Sequence, residues 1–229
     1  MRLGVLFTGG KDSTYSMFLA SKENEISCLI NADSENKDSY MFHTVGSALL
    51  DRQAEALGIP LERFHTKGEK EKELGDLTAF LKKMKEKYGL DGIVSGAIAS
   101  QYQKSRVDKI CEELGIASIA PIWGINQEVY LRTLLKSNFK VIIIKVAADG
   151  LGKDWLGRML DESAVTELVK LNKKFGINVS GEGGEYESLV IDCPIFAKKI
   201  EVGSSAKMWD EKDKTGYLEI QNAVLEDKS

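Results

Sequence analysis

Cysteine is scarce and scattered in this chain of 229 residues. Cys28, Cys111 and Cys193 stand far apart, and no Cys-x-x-Cys occurs. That spacing excludes a zinc knuckle and a disulfide framework. Three such thiols are expected to pack in apolar surroundings of a reducing compartment. A basic excess is also missing. Lysine and arginine number 31 against 35 aspartates and glutamates, a net charge of -4, with a pI near 5.4. No overall positive field gathers nucleic acid, so stable nucleic-acid binding is not expected. No apolar run approaches the length of a membrane span, and Met1-Arg2-Leu3-Gly4 leads straight into a strand without a signal peptide. A cytoplasmic protein without membrane contact is the expectation. Hydrophobic residues make up 43% of the chain, enough for one large domain or a main domain with a smaller lobe.

The first half alternates strand and helix. Strand patterns fall at Leu3–Phe7, Ile26–Asn31, Pro60–Phe64, Gly92–Gly96 and Ala117–Pro121. Helix patterns fall at Thr44–Leu57, Glu69–Tyr88 and Gln103–Leu114, closed by the stop signals Gly58, Gly89 and Gly115. Repeated β–α units predict an α/β domain, a parallel sheet with helices on both faces. Near Trp123-Gly124 the rhythm changes. A helix at Gln127–Leu135, a β-branched strand at Val141–Val146 and a helix at Ser163–Phe175 precede short strands at Leu189–Ile191, Lys199–Val202 and Tyr217–Ile220. A smaller C-terminal α+β domain is expected over 124–229, after a nucleotide-binding domain over 1–123. The last residues, Glu226 to Ser229, read as frayed.

Three segments carry chemistry. Thr8-Gly9-Gly10-Lys11-Asp12-Ser13 follows the first strand and opens a helix. Adjacent glycines allow a sharp turn and close approach of a ligand, and Asp12 or Ser13 can cap the helix. Free N–H groups and the aligned peptide dipoles make such a turn a phosphate site. The spacing is neither G-x-x-x-x-G-K-[ST] nor G-x-G-x-x-G. The second segment is Gly96 to Val107, where small residues leave room and Ser100, Gln103 and Arg106 supply polar groups. Gln103 and Arg106 share a helix face, and Arg106 can grip a phosphate or carboxylate with two prongs. The third is Gly181-Glu182-Gly183-Gly184-Glu185-Tyr186-Glu187-Ser188. Carboxylates this close repel unless water screens them or something binds, such as a magnesium ion, an ammonium ion or a substrate amine.

The first turn resembles the S-G-G-x-D-S signature of the PP-loop ATP pyrophosphatases, with Thr8 in place of serine. Together with Pro121-Ile122-Trp123 and Pro194, the three segments resemble the signatures of the diphthine–ammonia ligase family, in order and over residues 3 to about 202. Tyr40-Met41-Phe42-His43 adds to the resemblance. It implies a HUP-type fold and ATP-dependent amidation of diphthine on translation elongation factor 2. ATP with magnesium would be the cofactor set, and ammonium and the elongation factor would be the partners. Thr8, Gly9, Gly10, Lys11, Asp12, Ser13, Asn31, Ala32, Asp33, His43 and Gly96 would then bind ATP. Lys11, Asp12, Ser13, Glu182, Glu185 and Glu187 would serve catalysis, the glutamates by holding ammonium or metal or by taking a proton from ammonium. Ser100, Gln103, Arg106, Gly183, Gly184 and Tyr186 would contact substrate. Metal ligands and a homo-oligomer are left open. The rival readings are a PP-loop enzyme acting on tRNA and a nucleotide-binding regulator without chemistry.

Overall fold

The computed structural model describes residues 1–34, 47–66 and 72–228. The chain divides into two compact units, Met1–Trp123 and Gly124–Ser229. The first unit runs β1 (Arg2–Leu6), α1 (Lys11–Ala20), β2 (Glu25–Ser34), α2 (Ser47–Leu57), β3 (Leu61–Thr66), α3 (Lys72–Tyr88), β4 (Gly92–Val94), α4 (Gln101–Leu114) and β5 (Ala117–Ile119). All five strands pair in parallel, in the order β3-β2-β1-β4-β5. The winding therefore runs outward from β1 to β3, crosses over, and runs outward again from β4. The right-handedness of such crossovers puts helices on both faces.

Alternation along β2 shows how the sheet is covered. Cys28, Ile30 and Ala32 join one buried cluster with Leu77, Leu81 and Met84 of α3 and Val107, Ile110 and Cys111 of α4. Leu29 and Asn31, one residue out of phase, belong to the opposite face. Burial pushes the Cys28 thiol up to about 12 and the Cys111 thiol up to about 11. These are packing residues, with no thiolate at neutral pH.

The second unit runs α5 (Gln127–Lys136), β6 (Lys140–Val146), a short 3₁₀ turn at Lys153–Trp155, α6 (Glu162–Phe175), β7 (Tyr186–Asp192), β8 (Lys198–Asp210) and β9 (Thr215–Asp227). Its antiparallel sheet has the order β7-β6-β9-β8. Asn126 caps α5 by accepting from Val129 N, and Asp161 caps α6 by accepting from Ala164 N. The β-branched core run Val141, Ile142, Ile143 and Ile144 is buried.

Two expectations need correction here. The C-terminal strands are not short: β8 and β9 are 13 residues each and pair from Lys198↔Asp227 to Asp210↔Thr215. Glu226 and Asp227 are strand residues, each paired with a lysine, Lys199 at 3.3 Å and Lys198 at 3.1 Å. The apolar alternation fades at Gly203-Ser204-Ser205, where the register also shifts. Backbone pairing carries the hairpin through a stretch that buries little on either face, so periodicity could not reveal it.

Candidate functional site

The glycine turn sits at the carboxyl end of β1, where the winding of the sheet reverses. Gly9 has φ +76°, a left-handed value that an L side chain adopts at a cost. Its carbonyl accepts a 2.8 Å bond from Gln53 Nε2 of α2, and Gln53 is fully buried. A Cβ at Gly9 would lie 2.2 Å from Gln53 Oε1. Ser13 ties the turn internally: its Oγ accepts from Thr8 N at 3.2 Å, lies 3.1 Å from Thr8 Oγ1, and donates to Gly10 O at 3.2 Å. The backbone N–H groups of Gly9, Gly10 and Ser13 have no acceptor among the described residues. Open amides at the start of a ten-residue helix are chemically able to accept an anion.

The capping expectation is corrected. Gly10 is the N-cap of α1 and offers no side-chain cap. Asp12 and Ser13 lie inside the first turn, and the helix starts with Lys11, two residues earlier than a cap at Asp12 requires. Adjacent glycines let the chain enter the helix directly. Lys11 is 2% exposed, with Nζ 3.0 Å from Asp12 Oδ2. The Asp12 side chain keeps 31% of its surface.

The segment after β4 closes on the same turn. A Cβ on Gly96 would lie 2.8 Å from Ser13 N, so only glycine lets this backbone lie against the first turn of α1. Ser100 caps α4 by accepting from Gln103 N at 3.4 Å. The Arg106 guanidinium stacks 3.3 Å above the Tyr102 ring, and its Nη1 donates to Tyr102 O at 3.3 Å. Asp108 accepts from Lys104 at 2.5 Å and from Ser118 at 2.7 Å. Burial raises the Asp108 pKa, but these two bonds outweigh it and hold the carboxyl below its usual range. Asn31 is 3% exposed and donates from Nδ2 to Phe7 O at 2.8 Å, bracing the entrance to the turn. Ala32 is buried beside it. Asp33 pairs with His65 in the β2–β3 register. His43, with Tyr40, Met41 and Phe42, lies outside the described residues.

The glycine–glutamate segment belongs to the second unit and is built around Asn178. Asn178 Oδ1 accepts from Ser180 N at 3.0 Å, Ser180 Oγ at 2.8 Å and Glu182 N at 3.4 Å, while Asn178 N donates to Glu185 Oε1 at 2.8 Å. Gly181 has φ +73°, and a Cβ there would meet the Tyr186 ring at 2.8 Å. Tyr186 is 2% exposed and donates to Val179 O at 2.9 Å, so it supports the loop from beneath. Gly183 and Gly184 lie at the exposed tip. The three glutamates do not share one environment. Glu187 is paired with Lys145 of β6 at 2.8 Å, Glu185 is fastened by one oxygen, and its Oε2 is buried without a hydrogen-bond partner among the described residues. Among those residues no group of three or more His, Cys, Asp or Glu is placed to hold a metal ion. Gln53 and Asn178 escaped the sequence reading. The signal for Asn178 is its place two residues after the helix stop Gly176, and nothing in the local pattern marks Gln53.

A doubly wound parallel sheet with a glycine turn and open amides at its reversal point defines a nucleotide-binding α/β protein. Comparison with known proteins narrows the class. Residues 1–118 match the diphthamide synthase N-terminal domain and residues 126–225 match the diphthamide synthase C-terminal domain. The diphthine–ammonia ligase of Mus musculus is 41% identical over 251 residues, covering 100% of this chain and 94% of its own length. That of Danio rerio is 37% identical, covering 100% and 98%. Among solved structures, a predicted subunit of tRNA methyltransferase from Methanocaldococcus jannaschii is a distant likeness, with 18% identity, a TM-score of 0.48, and 85% and 98% of the two chains covered. The chain belongs to the diphthine–ammonia ligase family.

Proposed function

We propose that the chain is an ATP-dependent ligase that converts the carboxylate of diphthine on translation elongation factor 2 into the amide of diphthamide, with ammonium as nitrogen donor. Family membership supports the reaction. The open amides of Gly9, Gly10 and Ser13 at the reversal point of the sheet are the observation that carries the role of ATP.

A carboxylate is a poor electrophile and must be activated. Its oxygen attacks the α-phosphorus, the bond to the bridging oxygen of the β-phosphate breaks, and pyrophosphate leaves. Ammonia then attacks the acyl carbon of the adenylate, AMP leaves, and the surplus proton passes to a base. The amides of the turn and the dipole of α1 stabilise charge that grows on the leaving pyrophosphate. Lys11 adds a buried positive charge beside them. Asp12 is the carboxylate at the turn that would hold a magnesium ion arriving with ATP. One carboxylate with phosphate oxygens is an ordinary donor set for that ion, which would neutralise the triphosphate. Glu185, through its unpartnered Oε2, is the group best suited to take the proton from ammonium. Glu187 already faces Lys145.

The test mixes ATP, ammonium and diphthine-bearing elongation factor, and follows AMP and the modified histidine by mass spectrometry. AMP, pyrophosphate and amide in equal amounts are expected. Nucleotide bound but never turned over would favour a regulator, and modification of tRNA instead would favour a tRNA enzyme. Glu185→Gln should impair amide formation more than ATP binding; equal loss of both would give Glu185 a structural role alone.

A further inference from the structure

At the end where β6 pairs with β9, the sheet of the second unit has two faces of opposite character. Tyr186, Val146, Gly216 and Trp209 stand opposite one another across β7, β6, β9 and β8. Tyr186 and Val146 are buried, and a Cβ on Gly216 would meet the Trp209 ring at 2.7 Å. This is the core row. The adjacent row is Glu187, Lys145, Tyr217 and Met208. Successive strand residues point to opposite faces, so this row lies on the outer face. There Tyr217 is 51% and Met208 42% exposed.

Two large apolar side chains are thus directly opposed in the open, in a row that begins inside the glycine–glutamate motif. The Lys145 charge beside Tyr217 is answered by Glu187 at 2.8 Å. Glu219, two residues from Tyr217 on the same strand face, is exposed. An aromatic face attracts an alkylated ammonium ion through its quadrupole, a thioether offers a soft apolar wall for its methyl groups, and neighbouring carboxylates favour its charge. Diphthine is a histidine extended by an arm that bears both a carboxylate and a trimethylammonium group. Neighbouring strands lie about 4.8 Å apart, so Tyr217 stands about 10 Å across the sheet from Glu187. An arm whose cation rests on Tyr217 keeps its acid on the motif's side of the sheet.

We propose that the exposed row of Tyr217 and Met208, continuous with Lys145 and Glu187, seats the trimethylammonium group of the diphthine arm, with Tyr217 selecting it. The proposal rests on diphthine amidation as the activity. In steady-state assays Tyr217→Ala raises KM for the diphthine-bearing elongation factor roughly 2- to 30-fold, the range of a cation–π contact, and leaves KM for ATP unchanged. Tyr217→Phe keeps the ring face and stays near wild type. Tetramethylammonium chloride inhibits the wild type competitively with the protein substrate, beyond an equal concentration of sodium chloride, and inhibits Tyr217→Ala less. Val224→Ser, an exposed apolar change elsewhere on β9, leaves KM alone. Three results overturn the cation site while the amidation reading stands: an unchanged KM in Tyr217→Ala, a Tyr217→Phe variant as damaged as Tyr217→Ala, or a similar loss in Val224→Ser. A wild type that makes no amide overturns both.

Discussion

Replacing Gly9 by alanine puts the glycine turn and its proposed phosphate role to a quantitative test. Two independent costs arise. At φ +76° an L residue is strained by about 1–2 kcal/mol. The new Cβ also falls 2.2 Å from Gln53 Oε1 and 2.9 Å from Leu50 Cδ2. Gln53 and Leu50 are both fully buried, and Gln53 is tethered to Gly9 O, so neither can swing into solvent. Such overpacking costs about 1–3 kcal/mol. The sum, about 2–5 kcal/mol, is below or near the lower end of the usual stability of a domain, about 5–15 kcal/mol. The variant should therefore fold at 20 °C but carry a displaced turn.

The two costs separate in a double-mutant cycle. Gln53→Ala removes the nearer obstruction and leaves the 2.9 Å approach to Leu50 Cδ2 and the backbone strain. Gly9→Ala in that background should be about 1–3 kcal/mol less damaging to stability than in the wild type, measured by urea unfolding. ATP-to-AMP conversion should fall at least about tenfold in Gly9→Ala, the effect of about 1.4 kcal/mol lost at the transition state. Strict additivity of the two substitutions would refute the packing argument. Wild-type stability and turnover in Gly9→Ala would refute the left-handed turn itself.

Ser13→Ala removes three contacts inside the turn and should lower ATP turnover strongly while far-ultraviolet circular dichroism is unchanged; normal turnover would take the turn out of the mechanism. Lys87 at 2.7 Å and Tyr88 at 2.5 Å from Glu62 Oε1 hold that carboxyl below its usual range. A depressed folded pKa gives stability that is full above the unfolded value, about 4.3, and is lost as pH falls through the folded one. Glu62→Gln should therefore flatten the acid-side fall in urea midpoint below about pH 4, and an unchanged slope would count against the contact. Burial raises Cys28 and Cys193 to about 12 and Cys111 to about 11, so a thiol reagent at neutral pH should label none of the three until urea is added. Rapid labelling of the native protein would contradict that packing.

The parallel domain was legible because its signals are local. Apolar runs, then Gly58, Gly89 and Gly115 as helix stops, mark out the β–α units, and the structure places the helix ends at Leu57, Tyr88 and Leu114. The glycine turn was legible for the same reason. Gln53 was not, because its role is set by a contact 44 residues away in sequence. The acidic segment was only half legible. Its composition announces three carboxylates, but their separation depends on Lys145, 42 residues from Glu187, and on the backbone of Asn178. Charge density read along a chain overstates repulsion when the fold supplies separate partners, as it does for Glu185 and Glu187.

The same division of labour governs both conspicuous loops. In each, interior side chains hold the backbone and leave polar groups without partners among the described residues. Gln53, Asn31 and Ser13 fasten the first turn, and the amides of Gly9, Gly10 and Ser13 stay open. Asn178 and Tyr186 fasten the second, and Glu185 Oε2 stays open. A buried polar atom without a partner costs about 1–3 kcal/mol, and a loop free to relax would cover it with its own atoms. The buried braces prevent that relaxation, and so keep these groups available to the ligands proposed for them. Weakening a brace should therefore damage catalysis more than stability: Asn178→Ala should lower amide formation further than its unfolding midpoint suggests. An Asn178→Ala variant that is less stable yet fully active would show that the loop needs no such fastening.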